Sequence, residues 1–192
     1  SKNCELKIKN MNINESRIGY IKILNKMGAK IKFNNVKKKY GEKLADIFVK
    51  SQPVLKKINC PPNLNSNLID EFLIIFLVAA KAKGVSNFTN LGELNKKESP
   101  RLKLGSKLLN HLGIKTRLTG DSIKIFGNPN IDLKKNIHIK DYFKDHRIFM
   151  TSVIAAYTFG GKWKIDDVSS YKSSFPSFLN ILKKLGYKFK LS

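Results

Sequence analysis

The chain has 192 residues, 42% of them apolar, which is enough for one substantial core or two small ones and too apolar for a disordered polymer. Its formal net charge of +23 calls for anionic partners. The lysines are spread along the whole length beside abundant Ile and Asn, as A/T-rich codon drift would spread them, so the charge argues for small phosphorylated ligands at least as well as for nucleic acid, which asks for a concentrated patch. Cys4 and Cys60 lack CxxC or Cys/His spacing, which argues against a zinc site or a disulfide framework and reads as two reduced thiols.

In chain order the pattern predicts a strand over 4–9, a helix over 16–27 and strands over 29–35 and 44–50. A helix over 69–83 and a strand over 85–91 follow, then a helix over 99–112 and strands over 114–119 and 122–126. The last third reads as helix 146–159, strand 162–167, helix 175–185 and strand 187–191. The longest apolar run, FLIIFLVAA (72–80), falls far short of the roughly 20 residues that cross a bilayer, and no apolar signal core lies near Ser1; a soluble, cytoplasmic protein with no membrane partner is expected. The first residue is not methionine, and the chain opens directly on a strand, so a segment upstream is expected.

One unit recurs. NKMGAKIKF (25–33), NHLGIKTRL (110–118) and KKLGYKFKL (183–191) each end a helix on Gly and run into an alternating, lysine-punctuated strand. The stretches 69–91 and 144–167 echo each other as well: an acid, an apolar helix with a double alanine, then Gly and a strand. The helices at 69–83 and 146–159 are apolar nearly all round, which suits burial inside the domain with the sheets outside.

Three places can carry chemistry. In KKESPR (96–101), Ser99 or Glu98 can cap a helix with Pro100 in its first turn, and the same residues also read as an anion clamp, Lys97 and Arg101, around an acid, Glu98. Asp145 is a natural N-cap for the helix at 146–159, and Arg147 beside His146 suits a bidentate grip on a carboxylate or phosphate. Asp70-Glu71 opens the other apolar helix, either as cap and first-turn charge or as a base facing a cleft.

On these residues the sequence resembles the EPSP synthases. ELNKKESPR (93–101) is similar to their ELRVKESDR signature, DHRIFM (145–150) to DHRIAM, and LIDEF (68–72) to IDEFP. NINESRIG (12–19), MGAKI (27–31), GEKLADIFV (41–49) and SSFPSF (173–178) match further family segments in family order, all from the family's C-terminal portion. The resemblance implies an inside-out α/β enolpyruvyl-transferase fold of βαβαββ repeats, helices buried and sheets outside, here one C-terminal domain of three repeats over about 1–60, 61–128 and 129–192, with the family's N-terminal domain absent. It implies transfer of enolpyruvyl from phosphoenolpyruvate to the 5-hydroxyl of shikimate 3-phosphate, with no metal and no organic cofactor. Carried over by motif, Asp70 is the catalytic aspartate near the attacking hydroxyl and Glu98 the acid that protonates the enol methylene. Lys97 contacts both substrates, Arg101 and Arg147 hold phosphoenolpyruvate, His146 orients that clamp, Glu93 is a substrate contact, and Lys172 is the nearest candidate for the last phosphoenolpyruvate lysine, about one residue out of register. The chain departs from the family strings at Pro100, Leu73 and Phe149. The remaining partner is the missing domain, which implies that the chain alone is inactive. The alternatives are a domain like the sister enzyme acting on a UDP-amino sugar, UDP-N-acetylglucosamine enolpyruvyl transferase, or a non-catalytic basic module that binds nucleic acid.

Overall fold

Each third of the chain builds its own sheet in the computed structural model, which describes residues 4–140, 144–166 and 169–190. β1 (Glu5–Asn12), β2 (Lys30–Lys39) and β3 (Glu42–Lys50) pair antiparallel in the order β1-β3-β2, with α1 (Gly19–Lys26) between the first two in sequence. β4 (Gly84–Phe88), β5 (Thr116–Thr119) and β6 (Ser122–Gly127) repeat that order as β4-β6-β5. Residues 56–59 lie alongside β4 through two parallel bridges, Lys56 with Lys83 and Asn59 with Asn87. β7 (Asn136–Ile139) and β8 (Lys162–Ile165) form a parallel pair.

Against the inner faces of these sheets lie α2 (Phe72–Lys81), α3 (Arg101–His111), α4 (His146–Phe159) and α5 (Phe178–Lys184). α2 buries Phe72, Leu73, Ile75, Phe76, Leu77, Ala79 and Ala80, so all but the Ile74 side of it is enclosed, as its apolar sequence requires. Phe72, Phe76 and Phe88 of β4 meet in edge-on and tilted ring contacts at 5.2–6.2 Å, an arrangement that suits the aromatic quadrupoles. Two glycines set the spacing. A Cβ on Gly105 of α3 would lie 2.9 Å from the Leu73 side chain, and one on Gly127 at the end of β6 would lie 2.2 Å from the Ala82 carbonyl oxygen. The backbone of β6 is thereby free to finish against the last turn of α2, where the Asn128 amide donates to the Ala80 carbonyl at 2.8 Å.

The recurring helix–Gly–strand motif is present as geometry. Gly28, Gly113 and Gly186 have φ of 94°, 80° and 87°, the left-handed region that glycine enters without steric cost. After them, the amides of Ala29, Ile114 and Tyr187 donate back to Leu24, Leu109 and Leu182 at 2.9–3.0 Å, closing each helix in the same way.

Several boundaries differ from the sequence expectation. α2 starts three residues late because Pro62–Leu68 forms a 3₁₀ helix and Asp70 and Glu71 remain in the turn before it. Residues 187–190, expected as a strand, have no strand partner among the described residues, and Asp167 and Leu191, the ends of two expected strands, lie outside them. β7 was not expected: NIHI is only four residues long, and its signal is the bare alternation of buried Ile137 and Ile139. Among the described residues no single helix is long and apolar enough to cross a membrane.

The first sheet depends on one carboxylate. Both edge strands bulge beside β3, between Ile8 and Met11 and between Asn34 and Lys37, and Asn10 and Asn35 there take φ of 54° and 52°. Asp46 on β3 ties both bulges down, accepting from the Asn10 amide at 3.1 Å and from Asn35 Nδ2 at 2.9 Å, with Lys7 Nζ 3.2 Å away. The hydrogen bonds from Asn35 and Asn10, helped by Lys7, hold the Asp46 carboxyl at about 2. Because this value is depressed, the stabilisation is complete above the ordinary carboxylate value of about 4 and is lost as pH falls toward 2. Asp46→Ala is therefore expected to be less stable at neutral pH and to lose the part of the acid transition that lies between those values. Thermal melts from pH 6 to pH 2 check this; identical acid profiles in the two proteins would rule the staple out.

Candidate active site

Three helices begin at one place. α2 is preceded by Asp70 and Glu71, α3 by Glu98, Ser99 and Pro100, and α4 by Asp145, and the helices pack against one another along their lengths. Asp145 is the N-cap of α4. Its Oδ1 accepts from the amides of Arg147 at 2.8 Å and Ile148 at 3.3 Å, two of the donors that a helix start leaves without partners. Its Oδ2 accepts from Ser99 Oγ at 2.6 Å and Arg101 Nε at 2.9 Å. Pro100 occupies the N-cap position of α3 rather than its first turn, and Ser99, which the sequence suggested as a cap, spends its hydroxyl on Asp145 instead.

Arg101 is 2% exposed and the Asp145 side chain 0%, so this is a charge pair held out of water. The guanidinium has no idle edge: Nη2 pairs with Glu98 Oε2, and Nη1 lies 3.7 Å from Asp70 Oδ1. Arg147 donates through Nη1 to the Asp70 carbonyl at 2.7 Å, and its Nη2 lies 3.4 Å from Asp70 Oδ2. Arg17, from the turn before α1, brings a third guanidinium to 3.7 Å from Asp70 Oδ2 while remaining 75% exposed. Three carboxylates, those of Asp70, Glu98 and Asp145, thus interleave with three guanidinium groups at the N-terminal ends of three helices, where the helix dipoles add positive potential.

Burial pushes the Asp145 carboxyl up, yet the hydrogen bonds from Ser99 and Arg101, the Arg101 charge and the Arg147 amide together outweigh it and leave the group below its ordinary value. Glu71 goes the other way. Its burial raises its pKa, Arg147 and Arg17 oppose the rise, and the Asp70 charge adds to it. Burial likewise raises Tyr20, with a contribution from the Glu71 charge.

Of the residues singled out in the sequence, Asp70, Glu98, Arg101 and Arg147 come together in this cluster. His146 is half-buried as the first residue of α4, and Lys97 is exposed just after the 3₁₀ turn Gly92–Lys96. Glu93 lies on that turn, exposed, paired with Lys96 at 2.7 Å. Lys172 is exposed on the turn Ser170–Ser173, whose Tyr171 stacks on Phe149 of α4 at 5.4 Å. Sequence reasoning missed Arg17, and it missed that Asp145 accepts from both Ser99 and Arg101. A cap residue and an arginine 44 positions apart carry no mutual signal in one sequence.

A sequence profile of EPSP synthase (3-phosphoshikimate 1-carboxyvinyltransferase) matches residues 1–182, nearly the whole chain. The chain belongs to the EPSP synthase family. It is 37% identical over 182 residues to the 3-phosphoshikimate 1-carboxyvinyltransferase of Thermodesulfovibrio yellowstonii, covering 94% of this chain and 41% of that protein. Against the same-named protein of Ruthia magnifica the identity is 38%, over 97% of this chain and 42% of the relative. The chain thus spans about two fifths of the length of the curated relatives that it matches. A solved EPSP synthase from Acinetobacter baumannii superposes with a TM-score of 0.90 at 29% identity, covering 100% of this chain and 43% of that one. The enolpyruvyl transferase NikO from Streptomyces tendae shares the fold, with a TM-score of 0.66 at 15% identity, over 96% of this chain and 39% of NikO. These likenesses agree with the α/β architecture of buried helices and outer sheets described above.

Two of the chain's departures from family strings have structural counterparts. Leu73 lies against Gly105, and Phe149 stacks on Tyr171. The cluster itself predicts an acid limit. Asp145 has a depressed pKa, so its contribution is present above about pH 4 and is lost as pH falls through its folded value. Asp145→Ala leaves Arg101 without its one fully buried carboxylate partner and is expected to cost about 3 kcal/mol in chemical denaturation at pH 7. A cost under ~1 kcal/mol would show that Glu98 and Asp70 already compensate the guanidinium.

Proposed function

We propose that this chain provides the C-terminal half of an EPSP synthase active site, which transfers the enolpyruvyl group of phosphoenolpyruvate to the 5-hydroxyl of shikimate 3-phosphate and releases phosphate. The observation that carries the reading is the Asp70–Glu98–Arg101–Arg147 cluster at three converging helix starts, in a chain whose family profile runs through all of it. The single domain with repeat boundaries at about residues 60 and 128 belongs to the same proposal, and the division into three separate sheets supports it.

In this reading Asp70 takes the proton of the attacking hydroxyl. Arg17 and Arg147 beside Asp70 Oδ2, with Arg101 Nη1 near Oδ1, fix its orientation. Glu98, more than half exposed and close to Arg101, delivers the proton that turns the enol methylene into a methyl group and takes one back when phosphate leaves. Arg147 and Lys97 offer donors to the phosphate and carboxylate of phosphoenolpyruvate, as does Arg101 once Glu98 moves off its Nη2. Arg101 therefore first organises the carboxylates and meets the ligand only after a rearrangement at Glu98. His146, Glu93 and Lys172 lie on the segments that flank this site and complete the substrate contacts. In this reading the chain supplies only part of the site, so it turns over only when a second domain closes on the cluster.

Amide NMR titration of the whole chain with phosphoenolpyruvate and shikimate 3-phosphate tests the half-site. Localised shifts at Lys97, Glu98, Arg101, His146 and Arg147 are expected, and Arg147→Ala is expected to weaken phosphoenolpyruvate binding by about tenfold to a hundredfold, the value of a lost charge-assisted contact. Silence at these residues in the unsubstituted chain overturns the reading. When the complementary N-terminal half of a family member is supplied, Asp70→Asn and Glu98→Gln are each expected to lower kcat by about 10² to 10⁴. An unchanged kcat in either variant removes that residue from proton transfer.

A further inference from the structure

α3 uses two of its faces. On one, Gly105 lies against Leu73 and Phe76 of α2. On the other, Leu104, Lys107, Leu108 and His111 follow the i, i+3, i+4, i+7 spacing of a single helical stripe, and that stripe borders a cavity of about 220 Å³ between α3, the end of β7 and the start of α4. Lys135, just before β7, donates through Nζ to the His111 carbonyl at 3.1 Å, which ties this strand to the last turn of α3.

The walls divide by chemistry. Leu104 and Leu108, at 8% and 6% exposure, join Ile139 of β7 and Ile148 of α4, at 7% and 2%, in an apolar floor. Lys107 and His111 stand exposed on the α3 side of the rim, and exposed Lys140 stands on the β7 side. His138, also on the β7 side, meets both carboxylate oxygens of Asp166 through Nε2, at 2.9 and 3.0 Å. Among the described residues no carboxylate lines the cavity, so its rim is cationic.

None of Asp70, Glu98, Arg101 and Arg147 lines this space. Its floor nevertheless reaches both helices directly behind those groups. Leu104 comes one turn after Arg101, and Ile148 is the residue after Arg147, with its amide held by Asp145 Oδ1 at 3.3 Å.

We propose that this cavity is a ligand site apart from the charged cluster, that it takes a small ring-bearing carboxylate, and that its occupant bears on the cluster through α3 and α4. Size and walls choose the class. An apolar cavity of about 150 Å³ holds a benzene molecule, so this one holds a single ring with a carboxylate and nothing as large as a nucleotide. The ring takes the floor out of water while the carboxylate accepts from Lys107 and Lys140, whose charge-assisted hydrogen bonds orient it. An inorganic anion would meet the ammonium groups and leave the floor bare.

The probe is benzoate, titrated into the full chain and followed by amide and arginine Nε resonances. Acetate keeps the charge without the ring, and benzamide keeps the ring without the charge. Benzoate is expected to move the amides of Lys107, Leu108, His111, Ile139 and Lys140 first, with smaller changes at Arg101 and Arg147 Nε. Acetate and benzamide are each expected to bind about tenfold to a hundredfold more weakly. Lys107→Glu combined with Lys140→Glu is expected to abolish the response. Lys32→Glu combined with Lys124→Glu, the same change of charge at two exposed positions on other sheets, is expected to keep it, and the melting temperatures of both double variants stay close to that of the parent. Acetate binding as well as benzoate would mark a general attraction of anions to a basic surface and overturns the proposal, as does equal binding of benzamide or silence at Lys107 and Lys140. Changes that centre on Arg17, Arg101 and Arg147 and spare Lys107 and Lys140 also overturn it, by placing the anion in the charged cluster. With benzoate seated at the rim, unmoved Arg101 and Arg147 resonances overturn the link to the cluster.

Discussion

Asp145 has its carboxylate wholly out of water, and four donors converge on it: two amides of α4, the Ser99 hydroxyl and Arg101 Nε. Such a group is tolerable only when every lone pair is engaged, and the engagement here joins the starts of two helices, α3 and α4. Arg101 carries the constraint further. Buried and always charged, it needs anionic partners on its remaining nitrogens, and it finds them in Glu98 and in Asp70 at the start of α2. One desolvated carboxylate thereby sets the relative placement of α2, α3 and α4, and with it the placement of every acidic and basic group proposed for the chemistry.

The same constraint explains why the helices are inside. Their N-terminal ends must meet for the cluster to be satisfied, which draws α2, α3 and α4 together as a central bundle and leaves the sheets to cover them. α2 accepts this because it is apolar on every side, and Gly105 lets α3 come close over Leu73. At the other end of α2 the close approach of Gly127 seals the helix against the second sheet. The first sheet stands apart energetically, with its own small cluster of Ile13, Ile18, Ile21, Ala45 and Ile47 and its own polar staple in Asp46.

Charge acts at two scales. The overall excess of lysine biases the chain toward anions without choosing among them, since its many exposed ammonium groups are strongly hydrated and screened. Selection happens where guanidinium groups are held in fixed directions by carboxylates, because only there is the orientation of the donors prepaid. Arg17 shows how such a site gathers members from distant sequence: it lies 53 positions before Asp70, on a turn whose own pattern is that of an ordinary loop before a helix.

By itself the sequence determined the periodic elements, the repeated helix–Gly–strand closure, the burial of the helices at 69–83 and 146–159, and the identity of Asp70, Glu98, Arg101 and Arg147 as the charged residues at helix starts. These are properties of neighbours along the chain: alternation, apolar runs, and the left-handed backbone that Gly28, Gly113 and Gly186 adopt. The tertiary structure alone decided that Ser99 serves Asp145 and not its own helix, that Arg101 faces three carboxylates at once, that NIHI is a strand, and that residues 187–190 stand apart from β8 across a channel. Each of those outcomes depends on a partner tens of residues away, and a desolvated charge or an unpaired strand edge takes its partner from whatever the packing brings within reach.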